Sequence, residues 1–383
     1  MKKIRLGDVC EILNGFAFKS ENYVNSGIRI IRIANVKKGY IEDNTPVFYP
    51  LDYYGLEKYM LKEDDLLVSL TGNVGRVAIL DKEFLPAALN QRVACLRLKT
   101  NKISKGFLFH ILNSDYFEQK CIQSSKGVAQ KNMSTEWLKD YEIPLYSEKE
   151  QAKITTVLDK IRSVIDKRKV EFQKLDEIIK ARFVEMFGMP GVDNKGWGLR
   201  KLGDCCELNP KKVKDTRLIT GLEVSFVPMT AVSEDGAIDL SDTKLYEEVK
   251  TGFTYFAEND VLMAKITPCM ENGKGAVAVG LTNEIGFGST EFHVLRPING
   301  LSNPYWIHTL TSIKAFRKDA AANMTGSAGQ RRVPATFLNN YKVSLPPIEL
   351  QNQFADFVIQ IDKSKVVVDT QLLFDSLMQK YSG

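Results

Sequence analysis

The sequence has no long apolar run. No stretch approaches the roughly 18 consecutive apolar residues that argue for a membrane-spanning helix. The first residues, MKKIRLGDVC, carry lysines but no apolar segment behind them, which argues against a secretory signal. We therefore expect a cytoplasmic protein that does not contact a membrane.

Patterns typical of metal sites and disulfide scaffolds are also missing. The six cysteines include no C-x-x-C pair, and the three histidines are scattered. Reduced, buried thiols are the better interpretation of such cysteines. We expect no metal and no cofactor in this chain.

Catalytic motifs are incomplete or absent. An adenine methyltransferase needs an Asp/Asn/Ser-Pro-Pro-aromatic turn, whereas Asn303–Trp306 (NPYW) lacks the second proline and is interpreted as a helix start. Asp115, Glu118 and Lys120 have the letters of a metal-dependent nuclease but lie in a helical pattern, as a solvated face would. There is no G-x-x-x-x-G-K-S/T phosphate loop. No catalytic residue is predicted, and the chain is expected to bind rather than to catalyse.

Length and composition are those of a folded protein with more than one domain. With 383 residues, the chain is long enough for two or three domains. Hydrophobic residues make up 44% and charged residues 26% of it. The formal net charge of +5 permits a polyanionic partner without requiring one.

The most informative feature is an internal repeat. GVAQKNMSTEWLKDYEIPL at residues 127–145 returns as SAGQRRVPATFLNNYKVSL at residues 327–345. Further matched pairs are RLGDVCE with KLGDCCE, Asp65 with Asp260, and FLFHIL of residues 107–112 with YWIHTL of residues 305–310. The offset stays between 195 and 200, which indicates two copies of one domain.

Each copy has short strand-like runs separated by Gly, Asn, Pro and Thr clusters, which predicts an α+β unit with long loops. The predicted strands are 28–33, 66–70, 93–98, 224–227, 261–266 and 291–295. We expect the first domain to span residues 1–147 and the second residues 198–346.

A long helix is predicted after each domain. Residues 148–187 contain neither Gly nor Pro, and a coiled-coil seam recurs there at spacings of four and three. Its positions are Ile154, Leu158, Ile161, Ile165, Arg168, Phe172, Leu175, Ile179, Arg182 and Met186. After a linker at 188–197, the second helix at 347–383 keeps Phe354, Val358, Ile361, Val368 and Leu372, with Lys365 interrupting. The two helices are expected to pack as an antiparallel coiled coil, which gives the molecule pseudo-twofold symmetry.

Basic, amide and hydroxyl side chains gather beside the glycines of both copies. Arg and Lys neutralise phosphates, and Arg, Asn and Gln read base edges in the major groove, so this set favours double-stranded DNA. The DNA-binding candidates of the first copy are Lys19, Arg32, Asn35, Thr71, Asn73, Arg76, Gln91, Arg92, Gln130 and Lys131. Those of the second copy are Lys211, Lys265, Thr267, Lys274, Thr290, Gln330, Arg331 and Arg332. Corresponding positions keep a polar character while their identities differ, as expected of readers of two different sequences.

In this order of domains and helices, the whole chain resembles a specificity subunit of type I restriction-modification systems. RLGDVCEILNGFAFKSENYVNSGIRIIRIANVKKGYI and LKEDDLLVSLTGNVGRVAIL are similar to the family's target recognition domain, and ELNP with LEVSFVPMTAV to a second one. IPLYSEKEQAKITTVLDKI and SLPPIELQNQFADFVIQI resemble the entries to its spacer helices. One departure is Pro144-Leu145-Tyr146, where the family commonly has consecutive prolines, as at Pro346-Pro347; a less rigid first junction follows.

The resemblance implies a non-catalytic DNA reader. Each recognition domain would bind one half of a bipartite, interrupted target. The antiparallel helices would set the spacing and dock two modification (methyltransferase) subunits, and restriction subunits would join them in the full complex. Two alternatives remain open: a fused nuclease or methyltransferase, and a coiled-coil scaffold whose domains bind protein.

Overall fold

Each half of the chain folds around two small sheets and a separate pair of strands. The structure is a computed structural model and describes residues 2–125, 132–212, 217–327, 329–365, 374, 376–377 and 381. The chain divides into unit 1, Met1–Lys167 with Val367–Gly383, and unit 2, Arg168–Val366. The α+β class expected from the sequence is confirmed.

Unit 1 contains the first domain and the first half of the long helix. Its strands are β1 Lys3–Arg5, β2 Cys10–Asn14, β3 Ile28–Ile31, β4 Phe48–Tyr49, β5 Leu66–Ser69, β6 Val77–Ile79, β7 Ala87–Leu89, β8 Val93–Leu98 and β9 Glu142–Pro144. Its helices are α1 Leu6–Val9, α2 Lys105–Leu112, α3 Asp115–Ser124, α4 Thr135–Asp140 and the beginning of α5 Glu148–Phe187.

Unit 2 contains the second domain and the rest of α5. Its strands are β10 Leu199–Lys201, β11 Cys206–Leu208, β12 Glu223–Val227, β13 Thr243–Leu245, β14 Thr254–Ala257, β15 Val261–Ala264, β16 Gly275–Val277, β17 Ile285–Gly288, β18 Phe292–Pro297 and β19 Lys342–Ser344. Its other helices are α6 Tyr246–Val249, α7 Pro304–Ser312, α8 Lys314–Ala322, α9 Ala335–Asn340 and α10 Ile348–Ser364.

The sheets of the two units share a common topology, although the second sheet has three strands in unit 1, β4-β3-β7, and four in unit 2, β13-β12-β17-β14. An antiparallel sheet in the order β2-β8-β5-β6 corresponds to β11-β18-β15-β16 in unit 2. In the second sheet, β3 runs parallel to β7, as β12 does to β17. The first and last strands of each domain pair with each other, β1 with β9 and β10 with β19. The repeat read from the sequence is therefore a repeat of fold.

Helices α2, α3, α4 and α7 begin at side-chain caps. The Oγ atoms of Ser104, Ser114 and Ser134 accept hydrogen bonds from N–H groups three residues further on. Asn303 caps α7, with Pro304 as its first residue, so the helix start predicted at NPYW is confirmed.

A buried glutamine fixes the alignment of the two copies. Gln151 of α5 accepts from the N–H of Ser104 at 2.8 Å, and Gln351 of α10 accepts from that of Asn303 at 2.9 Å. Helices α2 and α7 are therefore offset by 199 residues, one more than the match of FLFHIL with YWIHTL assumed. The equivalent caps, rather than the shared histidine, identify corresponding positions.

The same glutamines hold both helix entries. Gln151 donates from Nε2 to the carbonyl of Tyr146 at 3.0 Å, and Gln351 donates to that of Pro346 at 2.8 Å. Because this hydrogen bond is present at both junctions, the entry without consecutive prolines is anchored in the same way as the entry with them. These hydrogen bonds give no sign that the first junction is less rigid than the second.

The helices pair antiparallel within unit 2. The ring of Phe354 in α10 lies 5.5 Å from that of Phe183 and 5.4 Å from that of Phe187 in α5. Lys365, which follows the last residue of α10 and lies eleven residues after Phe354, donates to Asp176 at 2.6 Å. Asp176 lies eleven residues before Phe187. Burial alone lowers the pKa of Lys365, but its carboxylate partners outweigh burial and hold the pKa above its usual value. The charge of the lysine that interrupts the seam is thus balanced by Asp176 on the opposite helix.

In unit 1, the described residues of the C-terminal segment pack on the first domain. Phe374, Leu377 and Tyr381 contact the core cluster that includes Ile154 and Leu158 of α5. Each unit therefore combines one domain with parts of both long helical segments.

Most seam positions are partly or fully buried. Ile154, Leu158, Ile165, Ile179, Phe354 and Val358 are buried, and Ile161, Phe172, Leu175 and Ile361 are half-buried. Val368 and Leu372 lie outside the described residues. After Ile179 the seam departs from the sequence pattern, because Phe183 and Phe187 are buried where Arg182 and Met186 were expected. The buried residues Ile179, Phe183 and Phe187 are spaced four apart, instead of alternately four and three. Arg182 lies on the exposed face and pairs with Glu185.

Candidate nucleic-acid interface

Three polar segments meet at one end of the antiparallel sheet of unit 1. The N–H of Leu70, just after β5, donates to the carbonyl of Arg92 at 2.9 Å. The carbonyl of Leu70 accepts from the N–H of Met133 at 2.9 Å, and Thr71 forms a bridge with Asn132. We name residues 70–76, 90–92 and 132–133 the loop edge of unit 1. Backbone hydrogen bonds thereby join loops that are far apart in sequence.

The corresponding segments of unit 2 meet in the same way. The N–H of Lys265 donates to the carbonyl of Glu291 at 2.9 Å, and its carbonyl accepts from the N–H of Val333 at 2.9 Å. Thr267 donates to the carbonyl of Arg331 at 3.0 Å. Residues 265–274, 289–291 and 330–333 are the loop edge of unit 2. Both domains thus present a polar edge at the same place in the fold.

The side chains at the loop edge of unit 1 are accessible. Asn73, Gln91 and Arg92 are exposed, and Thr71 and Arg76 are half-buried. Gln130 and Lys131 fall outside the described residues, immediately before Asn132. The exposed lysine Lys19 lies on a different segment, where its N–H donates to the hydroxyl of Tyr49 at 2.7 Å.

Arg32 and Asn35 differ sharply in availability. The N–H of Asn90 donates to the carbonyl of Ile31 at 3.2 Å, which brings the half-buried Arg32 beside the loop edge of unit 1. Asn35, in contrast, is 2% exposed. Its oxygen accepts from the N–H of Arg32 at 2.8 Å, and its nitrogen donates to Asp43 at 2.9 Å. Its amide is therefore used inside the domain and is not free to read a base, contrary to its selection from the sequence.

In unit 2, two of the arginines are held by glutamates. Arg332 donates from Nε at 2.9 Å and from Nη2 at 2.7 Å to the two oxygens of Glu291. These hydrogen bonds lower the pKa of Glu291, so it stays ionised. Arg331 lies 3.5 Å from Glu271. Carboxylates accept from the amino group of cytosine, so this edge can offer acceptors as well as cations. The sequence interpretation missed both glutamates because it selected only basic, amide and hydroxyl side chains.

The remaining candidates of unit 2 lie around these pairs. Lys274 donates from Nζ to the carbonyl of Met229 at 3.3 Å, and Thr267 donates from its hydroxyl to Glu271 at 3.3 Å. Lys265 is half-buried, and Lys211, Thr290 and Gln330 are exposed.

A buried arginine supports the loop edge of unit 2. Arg317 of α8 is 6% exposed and donates to the carbonyls of Met270 at 2.8 Å and Gly273 at 3.1 Å. Burial lowers the pKa of Arg317 to about 10, which leaves it charged at neutral pH. It holds the turn between Thr267 and Lys274 by its carbonyls. In the sequence, this residue belongs to an ordinary helix, and its partners lie 47 and 44 residues away.

The acidic residues of the nuclease-like pattern are part of an ion-pair network. Asp115 and Glu118 of α3 both accept from Lys38, with Glu118 at 3.1 Å. No group of three or more His, Cys, Asp and Glu side chains in the described part of the chain is arranged to hold a metal ion. The described helices also include none with the length and apolarity that a bilayer crossing requires.

Comparison with known proteins matches almost the whole chain to one family. The family described as "Type I restriction modification DNA specificity domain" matches residues 1–177 and 194–372. The EcoAI type I restriction enzyme specificity subunit of Escherichia coli is 40% identical over 161 residues, which is 41% of this chain and 26% of that protein. The EcoEI specificity subunit of the same species is 43% identical over 158 residues, 40% of this chain and 25% of that protein. These matches span about a quarter of the relatives' length.

Among solved structures, the S subunit of a type I restriction-modification system from M. genitalium is similar with a TM-score of 0.48 and 15% identity. The alignment covers 100% of this chain and 96% of that one.

Proposed function

The chain belongs to the family of type I restriction modification DNA specificity domains, and on that premise we propose that it is a sequence-specific DNA-binding subunit without catalytic activity. Each domain reads one half of a bipartite, interrupted double-stranded target. The observation that carries this proposal is the duplicated loop edge, in which equivalent backbone hydrogen bonds present different polar side chains. Two readers of the same design but different chemistry suit two different half-sequences.

We propose residues 1–147 as recognition domain 1, 148–187 as the first spacer helix, 188–197 as a linker, 198–346 as recognition domain 2 and 347–383 as the second spacer helix. The paired helices set the spacing of the half-sequences and dock two methyltransferase subunits with pseudo-twofold symmetry. Restriction subunits complete the assembly in the cytoplasm, and the partners supply every cofactor. The antiparallel contacts of α10 with α5 in unit 2 support the pairing.

The proposed DNA contacts are the candidates at or beside the loop edges, together with Lys19 and Lys211. Asn35 is omitted because its amide is engaged within the domain. The set is Lys19, Arg32, Thr71, Asn73, Arg76, Gln91, Arg92, Gln130, Lys131, Lys211, Lys265, Thr267, Lys274, Thr290, Gln330, Arg331 and Arg332.

The proposed function is tested by mapping methylated bases genome-wide in cells with and without this gene. We expect methylation at one interrupted motif that disappears with the gene. An unchanged methylation pattern contradicts the proposal. The two alternatives give other results: an enzyme would transfer methyl groups from S-adenosylmethionine to DNA as the purified chain alone, and a protein-binding scaffold would show no DNA sequence preference.

Once the motif is known, Arg92→Ala is expected to weaken binding to a duplex carrying it by about 1–3 kcal/mol if Arg92 reads a base. If Arg92 contacts a phosphate instead, affinity falls by the same factor for all sequences. The slope of log affinity against log salt concentration then becomes shallower by about 1. Fluorescence titrations of the complex with its methyltransferase subunits at several salt concentrations distinguish the two roles.

Arg168→Ala is the matched control for this measurement. Arg168 is exposed on α5 and pairs with Glu171 at 2.9 Å, so the change removes the same charge away from the loop edge. Equal affinities and salt slopes for Arg92→Ala and Arg168→Ala would exclude Arg92 from the contact set.

A further inference from the structure

Unit 2 contains a cavity beside its helix pair. It has a volume of about 330 Å³ and is lined by Asp176, Asp362 and Lys365 of the long helical segments and by His308 of α7. The turn that includes Glu234, Asp235 and Gly236 forms another wall. Lys180 also lines it, so four carboxylates face two lysines and the lining is net negative. We name this space the acidic cavity.

Unit 1 has an arginine at the corresponding place. Arg162 of α5 donates from Nη2 to the carbonyl of Gly39 at 3.1 Å, and its guanidinium lies 5.1 Å from the centre of the Phe109 ring. A Cβ atom on Gly39 would lie only 2.2 Å from the Arg162 guanidinium, so the side chain packs directly against this turn. The chain itself thus places a guanidinium between the long helix and the turn at Gly39.

The two places correspond element by element. Gly39 and Gly236 have φ angles of +93° and +92°, and each lies in a turn closed by an isolated antiparallel bridge. The cap alignment places His308 on Phe109. The buried glutamines that begin the long helices, at an offset of 200, place Asp362 on Arg162. Unit 2 therefore has a carboxylate where unit 1 has its guanidinium.

The acidic cavity keeps acceptors for such a cation. Lys365 donates to Oδ1 of Asp176 at 2.6 Å and to Oδ1 of Asp362 at 2.9 Å, and a carboxylate has about four lone-pair sites. Burial lowers the pKa of His308 to about 4, so the imidazole is neutral at neutral pH and does not repel a cation. The His308 ring packs against Gly236, where a Cβ atom would lie 2.9 Å from Cε1, as Arg162 packs against Gly39 in unit 1.

We propose that the acidic cavity receives an arginine side chain from a protein partner, which binds beside His308 and supplies to unit 2 the guanidinium that Arg162 supplies to unit 1. Planar guanidinium donors match carboxylates in two-point contacts, and arginine is the preferred cation of buried interface pairs. The proposal deepens the proposed function, because the partner is a protein subunit of the same complex. It gives the two otherwise similar units different docking chemistry.

The cavity is tested directly with L-argininamide as the probe and the neutral L-citrullinamide as its matched control. The chain has three histidines, so NMR of histidine labelled at Cε1 reports His308 at the cavity, with His110 and His293 as internal references. We expect a saturable shift of the His308 signal with argininamide alone. No saturable shift, or an equal shift with citrullinamide, would overturn the assignment of a guanidinium site.

The variant Asp362→Arg gives unit 2 the residue that unit 1 has and is expected to fill the cavity from within. It should abolish the argininamide response and weaken at least tenfold the binding of the one methyltransferase subunit that docks on unit 2, measured by sedimentation as loss of one of the two subunits. Arg162→Asp, in unit 1, is the matched control because it also reverses a charge on a long helix. It should leave the argininamide response of His308 unchanged. If the probe binds but partner affinity is unchanged in Asp362→Arg, a partner arginine is refuted.

These readouts are independent of DNA reading. If the His308 signal shifts saturably with argininamide alone but no methylation depends on the gene, the proposed function is contradicted and the guanidinium site is supported. If Asp362→Arg does not fold, the milder Asp362→Asn still removes one carboxylate charge and must weaken the argininamide response.

Discussion

Insertion of four residues into α5 after Lys167, with four more between residues 366 and 374, is expected to lengthen the gap between the two recognised half-sequences. Four residues add about 6 Å to a helix, which corresponds to about two base pairs of DNA. Coiled coils absorb an insertion of four residues by local unwinding, so the seam is kept. Methylation mapping should return both half-sequences unchanged, with a longer gap between them.

The original target should then be lost, because its half-sequences no longer fit both domains at once. Specific sites bind about 10³ to 10⁷ times more tightly than other DNA, so this is a very large expected effect. The control is the same insertion at the exposed turn of Asn299 and Gly300, which should keep the original gap. Altered half-sequences with an unaltered gap would show that the helices do not act as a ruler.

Arg296→Met is expected to destabilise unit 2 by about 3–5 kcal/mol, because it leaves a buried carboxylate without its charged partner. Arg296 donates from Nε to one oxygen of Asp260 at 2.8 Å and from Nη2 to the other at 2.7 Å. Asp260 is 1% exposed. Hydrogen exchange in urea, followed on peptides from β15 and β18, measures the free energy of unfolding of this unit.

The repeat provides a matched test in unit 1. Asp65, 4% exposed, accepts from Arg97 at 2.9 Å and 2.6 Å, so Arg97→Met should cost a similar amount there. Arg168→Met, which breaks an exposed ion pair, should cost less than about 1 kcal/mol. The double change Arg296→Met with Asp260→Leu should recover much of the loss, since it removes the stranded charge. Equal losses for Arg296→Met and Arg168→Met would show that the buried pair contributes little.

The sequence interpretation of the fold succeeded where the signal was local. Short apolar runs between turn residues predicted strands that are present as β3, β5, β8, β12, β15 and β18. Absence of Gly and Pro, with a periodic seam, predicted the long helix α5, which ends before Gly188 at φ +80°. Among the described residues, the seam was misplaced at Arg168, which is exposed and pairs with Glu171, and near the end of α5, where the aromatic contacts of Phe354 bring Phe183 and Phe187 inward.

The candidate interface was predicted less completely, because its chemistry depends on distant partners. Asn35 has the right side chain for reading adenine, yet Asp43 and the Arg32 backbone use its amide. Arg332 is held by Glu291, 41 residues away in the chain, and nothing in the sequence around either residue predicts that they pair. Solvent exposure and hydrogen-bond partners together decide whether a polar side chain can reach a base.

The sequence alone determined the duplication, the α+β class, the long helix and the polar character of the loops. Repeats, periodicity and turn residues act over a few neighbouring positions and can be read directly from the letters. Only the tertiary structure decided that the loops meet at one sheet edge, that Arg317 holds one of them, and that Asp362 faces a cavity where Arg162 fills its counterpart. Those outcomes depend on hydrogen bonds and packing between residues tens of positions apart, which no local pattern encodes.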